Sequence, residues 1–563
     1  MKKQIFTLII AAIVSGNAFA QKVEEIPLLE ANVDAAWGPI KKSRTGVSDQ
    51  LVGFDGEGGY YTYEYTKRAT LFNMQGESAI RHYDSKFLLK KEVPLRIEGE
   101  KWVSFTAFYP NNDKIFLFTT QSIYKEKRQI MRVQTFDKQL NALDEPRIVG
   151  ELSEKVNDRG SAARISSNSS LFGSTLSVAG LELRTSRKET KVMLFKNYTF
   201  DHIFKSEDKN EKYELTMLDG SNGMKEMWKQ KVEMPYESAA FEILDGCIDE
   251  AGNFYMIGVL YPEKRKTWDA GGRPNYEFKL FKFNANGKVF ETELKVEDKF
   301  LTDLKLDISA NGKLICTGFY SKDRKTTTVN GIYYLSLDSE NGKVKKESFK
   351  EFELDMLTEN LSERKAKKIE KRLEKGKDVN LYQFTFDELI PRTDGGAVII
   401  AEQYYWYITT TTTTSSTGAV TTRTNYHYRY NDILVINVTP EGDIDWAHKI
   451  HKMQRTTNDG GFYSSYAFVN GGKELFFIYN DNGKNTLEKE PKDYKAFIGP
   501  TKGANVVTAT VNKEGKVERK QLFKARSKDT IIRPKNNLQI SQNSILIQAV
   551  KGKKSQFVRL DFK

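Results

Sequence analysis

The feature that most constrains this chain is a repeated punctuation by glycine. CIDEAGNFYMIGV (247–259) and LDISANGKLICTGF (306–319) each carry a strand into a turn at an Ala-Gly or Asn-Gly pair and an apolar strand out of it. Looser copies are IPRTDGGAVIIAE (390–402), FVNGGKELFFIYN (468–480) and FYPNNDKIFLFTT (108–120), with GFDGEGGYYTYEY (53–65) as an N-terminal version. A second hairpin follows in several units: FKFNANGKVFE (281–291), LSLDSENGKVKKE (335–347), INVTPEGDIDW (436–446) and ATVNKEGKVER (509–519). Tight hairpins demand positive φ, which glycine adopts without steric cost and Asn or Asp tolerates. The unit is therefore two hairpins, or four strands.

Four-stranded units of about forty to fifty residues are the size of a propeller blade. The spacing predicts an all-β propeller with units at 50–95, 102–152, 163–235, 241–295, 302–352, 383–452 and 462–523. A remainder, 530–563, holds three strands, so an N-terminal segment, VEEIPLLEA (23–31), is expected to supply the fourth and leave no open edge. That makes eight blades, with seven as the alternative. Two β-sandwich domains would also show many short strands, but they would not require the same paired turns in every unit. The mature chain, 21–563, reads as one domain.

The first twenty residues read as a cleavable secretory signal, because Lys2 and Lys3 precede an apolar run from Ile5 to Val14 and the stretch closes on Ala18-Phe19-Ala20. That run is too short to span a bilayer, and no later apolar stretch is long enough, so no transmembrane segment is expected. The expected address is the periplasm, the outer membrane surface or the medium. Cys247 and Cys316 are the two cysteines, compatible with one bridge or with two buried thiols. The net charge of +12 comes from Lys and Glu interleaved along the chain. Such a surface keeps a protein soluble, and it lacks the clustered basic groove that nucleic-acid binding would need.

Two stretches depart from the repeat, and insertions into a repeat often mark its binding face. In DMLTENLSERKAKKIEKRLEKGKD (355–378), Leu357, Leu361, Ile369 and Leu373 form one helical stripe, and Gly376 can end the helix. Lys365, Lys368, Lys371 and Arg372 on its outer face are candidates for docking a partner, or for a solvated cap on the ring. EQYYWYITTTTTTSSTGAVTTRTNYHYRYND (402–432) predicts an extended hairpin that protrudes beyond a standard blade. Its Tyr405, Trp406, Tyr407, Tyr426, His427 and Tyr428 are the candidate ligand-binding residues, through ring stacking and directed hydrogen bonds. The alternative is that these rings pack the hairpin onto its neighbour.

YNDILVINVTPEGDIDWAHKIHKMQ (430–454) and SSYAFVNGGKELFFIYNDNGKN (464–485) resemble exported, poorly characterised propeller-like proteins of Bacteroidota. The resemblance implies export and a propeller, and it supplies no catalytic residues.

His427, His448 and His451 lie near Asp443 and Asp445, but on a strand His448 and His451 point to opposite faces, and no metal site is expected. The Asx-rich turns at 53–59 and 478–485 lack the ligand spacing of a calcium loop. No cofactor motif, nucleophile elbow or phosphate loop is present, so no cofactor is expected. Asp249, Asp307, Glu388 and Asp445 are candidates for carboxylate chemistry only if the ring brings them together in its channel. The sequence thus predicts a non-catalytic binding or assembly propeller whose ligand is a protein or glycan of the cell envelope. The alternative is an envelope enzyme acting on glycan or peptide.

Overall fold

In the computed structural model, residues 24–25, 33–42, 49–70, 73–96, 103–111, 113–123, 126, 128–152, 181–197, 210–237, 240–262, 275–294, 299–309, 311–322, 328–353, 367–368, 371, 381–382, 384–485, 490–501, 503–526 and 529–563 are described. The predicted signal, 1–20, lies outside them. Among the described residues strands dominate, and they group into eight antiparallel sheets, each built on a row of four strands; seven rows follow chain order and the eighth takes its fourth strand from the N-terminal part of the chain. We number these blades 1 (50–94), 2 (103–152), 3 (181–237), 4 (241–294), 5 (300–351), 6 (385–450), 7 (467–524) and 8 (531–562 with 33–37).

Eight apolar cores join the blades in a circle. Tyr61 and Ile80 of blade 1 meet Phe108 and Leu117 of blade 2, and Phe118 and Val133 of blade 2 meet Val192 and Leu194 of blade 3. The same sharing links blades 3 and 4, 4 and 5, 5 and 6, 6 and 7, and 7 and 8. Leu546 and Phe557 of blade 8 then pack on Tyr60, Tyr83 and Phe87 of blade 1, which closes the ring. A sheet in a sandwich buries one face against one partner, whereas each sheet here serves two cores, one per face. The chain is an eight-bladed propeller. Burial follows from this: the second strand of blade 5, Leu314–Ser321, is buried throughout, while its outermost strand, Val344–Glu351, is mostly exposed or half-buried.

The glycine turns fall where the repeat places them. Gly252, Gly312, Gly395 and Gly472 take positive φ between first and second strands, and Gly287, Gly342, Gly442 and Gly515 do so between third and fourth. Where the repeat lacks glycine, Phe87, Leu140 and Glu189 adopt the left-handed conformation instead.

The closing strand differs from the expectation. Val33–Trp37, not 23–31, pairs with Lys554–Phe562 and completes blade 8, while Glu24–Glu25 adds only two residues beyond it. Val33, Ala35 and Trp37 alternate inward into the core shared with blade 7, a period-two pattern that a strand needs. Of the predicted helix at 355–378, Lys367, Lys368 and Lys371 are described, all helical and exposed; Lys365 and Arg372 lie outside the described residues. Cys247 and Cys316 are free thiols, so no bridge joins them. Among the described residues, no helix is long and apolar enough to cross a membrane.

Candidate functional site

First strands of neighbouring blades, as Phe241–Ile248 with Phe300–Ile308 and Ile531–Ser541 with Gln50–Phe54, touch one another and form the inner wall of the ring. In blades 1, 2, 4, 5 and 6 this strand carries a break in register against the second strand: between Leu51 and Gly53, Phe105 and Ala107, Ile243 and Asp245, Leu301 and Asp303, and Phe386 and Glu388. One extra residue bulges there and sharpens the local twist, as a bulge on a crowded strand does. Blade 8 enlarges the device. Ile532 pairs with Ala549 and Asn537 with Ile547, so residues 533–536, Arg-Pro-Lys-Asn, leave the ladder. Pro534 has no N–H to donate, which is why the ladder is abandoned at this point.

The excursion is pinned. Asn536 donates from Nδ2 to the Asp49 carbonyl (2.9 Å) and to Gln548 Oε1 (2.8 Å), and its Oδ1 accepts from the Leu51 N–H (3.1 Å). Arg533 and Lys535 are thereby presented on the ring's inner wall. The Arg533 guanidinium lies over the Phe462 ring at 4.3 Å. The Lys535 ammonium lies 3.9 Å from the centre of the Tyr430 ring, 5.9 Å from that of Tyr404, and donates to Tyr430 Oη at 2.5 Å.

Lys535 is exposed to water, yet enough protein surrounds it that desolvation lowers its pKa to about 8; Glu402 and Asp387 oppose this, and Lys452 and Arg533 add to it. Water-accessible and crowded at once, it faces the channel. Burial likewise lowers the pKa of Arg533.

Tyr404 and Tyr430 begin the long hairpin, formed by Ala397–Thr414 and Val420–Val438. Its base is fixed by a buried network. Lys452 Nζ donates to Glu402 Oε1 (2.7 Å), to the Tyr430 carbonyl (3.0 Å) and to Gln454 Oε1 (3.2 Å), and Ser465 Oγ donates to Glu402 Oε2 (2.8 Å). A short strand, Gln454–Thr457, pairs alongside His427 to Tyr430 and stiffens the lower half. Above Tyr426 the hairpin is exposed to its Ser415-to-Gly418 turn.

The register divides the six candidate residues between two faces. Trp406 stands opposite Tyr428 and continues the row begun by Tyr404 and Tyr430, with Ile408 and Tyr426 beyond. Trp406 and Tyr426 are 45% and 43% exposed, with ring centres 6.4 Å apart. On the other face Tyr405 stands opposite Arg429 and Tyr407 opposite His427. That face is largely engaged with itself. Arg429 donates to Tyr407 Oη at 2.6 Å, the His427 ring stacks on Tyr407 at 4.7 Å, and His427 is hydrogen-bonded to Thr409 (2.7 Å) and Thr457 (3.2 Å).

The four candidate carboxylates do not converge. Asp249 holds its own turn, accepting from the backbone N–H of Ala251 and Asn253. Asp445 lies on the fourth strand of blade 6, where Asn437 donates to it at 3.1 Å. Glu388 is half-buried on the inner strand of blade 6. Asp307 is at the opposite end of the channel from Lys535, at the far end of the first strand of blade 5. Arg187, from blade 3, lies 3.7 Å from Asp307 and reaches the Pro391 carbonyl of blade 6 at 3.4 Å. Burial raises the Asp307 pKa to about 6, opposed by the Ile308 N–H and by Arg187. The Cys247 thiol nearby is pushed up by burial and by Asp307 and Asp245, so it is no thiolate nucleophile. Among the described residues, no group of three or more His, Cys, Asp or Glu is arranged to hold a metal; His448 stacks on Trp446 and His451 faces Asp432.

No protein-family model matches the chain, and no curated protein matches it in sequence. Among solved structures it is similar to a protein of unknown function from Bacteroides caccae, at 11% identity over 66% of this chain and 90% of that one, with a TM-score of 0.25. A protein of unknown function from Dyadobacter fermentans matches at 8% identity, 68% and 94% coverage and a TM-score of 0.26. The β-propeller domain of the Trilobed protease from Pyrococcus furiosus matches at 10% identity, 74% and 94% coverage and a TM-score of 0.31. The assignment of the propeller rests on the closed circle of cores.

Arg533 and Lys535 were not among the candidates read from the sequence. The signal was present in IIRPKNNLQIS (531–541), where a proline interrupts a strand pattern and two cations flank it.

Proposed function

We propose that the protein is a secreted or periplasmic binding propeller, read as one domain over 21–563, that takes a protein or glycan of the cell envelope on the face carrying the long hairpin. The observation that carries the reading is the row of half-exposed rings, Trp406, Tyr428 and Tyr426, held on a hairpin whose base is locked by the buried Glu402–Lys452 network. Rigid aromatic groups on a stiff support lose little entropy on binding and offer large contact area. The export signal and the likeness to exported Bacteroidota proteins belong to the same proposal, and Lys368 and Lys371 are a second contact surface within it. The test is crosslinking in intact envelopes with wild type and with Trp406→Ala/Tyr426→Ala. Loss of the crosslinked product in the folded variant supports the reading, and an unchanged product overturns it.

The enzyme reading is kept by one observation, the water-accessible Asp307 with its raised pKa, a property of general acids. Glycan or peptide cleavage abolished by Asp307→Asn would establish it.

A further inference from the structure

The inner wall of blade 8 carries two cations whose charges are not met. Among the described residues, no carboxylate lies within ion-pair distance of Arg533 or Lys535. The acids around them are already engaged: Glu402 by Lys452 and Ser465, Asp387 by the Tyr466 hydroxyl at 2.7 Å, and Asp459 by the Gly461 N–H at 2.9 Å. The two cations are two residues apart, on a backbone excursion fixed by Asn536, so their spacing does not depend on side-chain packing alone. Crowding two unpaired cations costs free energy that an entering oxyanion would return, and a guanidinium fork donates two parallel hydrogen bonds to a carboxylate.

What the anion is attached to follows from the neighbouring rings. Tyr430, which receives the Lys535 ammonium, is the first member of the hairpin's aromatic row, and the row leads outward through Tyr428 and Trp406 to Tyr426. Exposure rises along it, from buried Tyr430 to half-exposed Trp406 and Tyr426. An extended ligand lying on that row would stack rings on the outer members and deliver its terminal charge to the channel mouth. Flat apolar faces beside directed polar groups are what sugar rings meet in protein sites.

We propose that Arg533 and Lys535 form a carboxylate-binding subsite for an acidic oligosaccharide whose sugar rings stack on Trp406 and Tyr426. This rests on the reading that the hairpin face binds a ligand.

The test measures binding of oligogalacturonate and oligomannuronate, their methyl esters and an oligoglutamate peptide, by titration calorimetry and Trp fluorescence. The proteins are wild type, Arg533→Gln/Lys535→Met and Trp406→Ala/Tyr426→Ala. The expected result is that at least one acidic sugar binds and its ester does not. Arg533→Gln/Lys535→Met should lose about tenfold or more in affinity. A fold control is circular dichroism, and Lys535→Arg, which keeps the charge, should retain most of the binding that Lys535→Met loses. Absence of binding by both sugars, equal binding of acid and ester, or unchanged affinity in Arg533→Gln/Lys535→Met overturns the subsite. Tighter binding of oligoglutamate than of either sugar overturns the glycan assignment. If Trp406→Ala/Tyr426→Ala abolishes the envelope crosslink while Arg533→Gln/Lys535→Met leaves it intact, the hairpin reading stands and the subsite falls.

Discussion

The Lys452 ammonium lies 2.7 Å from the Glu402 carboxylate, and the two side chains are 0% and 4% exposed. A buried pair of this kind stabilises little against an apolar substitute, but losing one partner strands the other charge. Lys452→Met should therefore lower the stability of blade 6 by about 3–5 kcal/mol, with Lys452→Met/Glu402→Leu recovering part of the loss. Urea midpoints of the two variants check it, and the hairpin base should become the first site of proteolysis in the single variant.

Lys535 should be the fastest lysine to react with an amine-directed reagent at pH 8. With a pKa of about 8, roughly half of its amine is free there, against about 0.3% for an ordinary lysine. Mass spectrometry after brief acylation reads the order of labelling. The same shift sets a sign for stability. Between about 8 and 10.5 the unfolded chain binds this proton and the folded chain releases it, so this group's contribution to stability rises with pH across that window.

Asp307 has the opposite sign. Its pKa in the folded protein is raised to about 6 from 3.8, so the folded state holds the proton more tightly, and this group's contribution to stability falls as pH rises through that interval. Asp307→Asn should raise the thermal midpoint relative to wild type more at pH 7.5 than at pH 4.5. A difference between the midpoints that does not change with pH would contradict the assignment.

Gly515 has φ +80°, and a β-carbon there would meet the His448 and Trp446 rings at 2.6 to 2.8 Å; Gly418, with φ +81° at the hairpin tip, faces open space. Gly418→Ala should cost only the backbone term, about 1–2 kcal/mol. Gly515→Ala adds overpacking, about 1–3 kcal/mol more. The two denaturation midpoints separate the contributions.

Trp37 packs edge-on against Phe523 with ring centres 5.4 Å apart, which ties the N-terminal strand to blade 7 as well as blade 8. Trp37→Ala should destabilise the protein by about 3–5 kcal/mol. Hydrogen exchange along Lys554–Phe562 should accelerate before exchange in blades 3 to 5.

The ring was legible because a turn with positive φ leaves a residue-type signature at fixed intervals, as at Gly252 and Gly312 or Gly287 and Gly342. Where a side chain took over that conformation, as at Leu140 and Glu189, the repeat faded. The closing strand was displaced because 23–31 offered an apolar run, while the strand that closes the ring alternates, with Val33, Ala35 and Trp37 inward and Asp34 outward. The hairpin was legible from its β-branched and aromatic run, but the partition of its rings between two faces depends on a register that composition does not reveal. Arg533 and Lys535 escaped because their role comes from a bulge pinned by Asn536 against Asp49, a contact between distant parts of the chain.

Because Val33–Trp37 pairs with Lys554–Phe562, a strand made early in synthesis lacks this ladder partner until the last strand has followed it. Closure is thus a late, long-range step, slow by the rule that distant pairings cost more loop entropy. Until then Trp37 and the facing rows of blades 7 and 8 stand open.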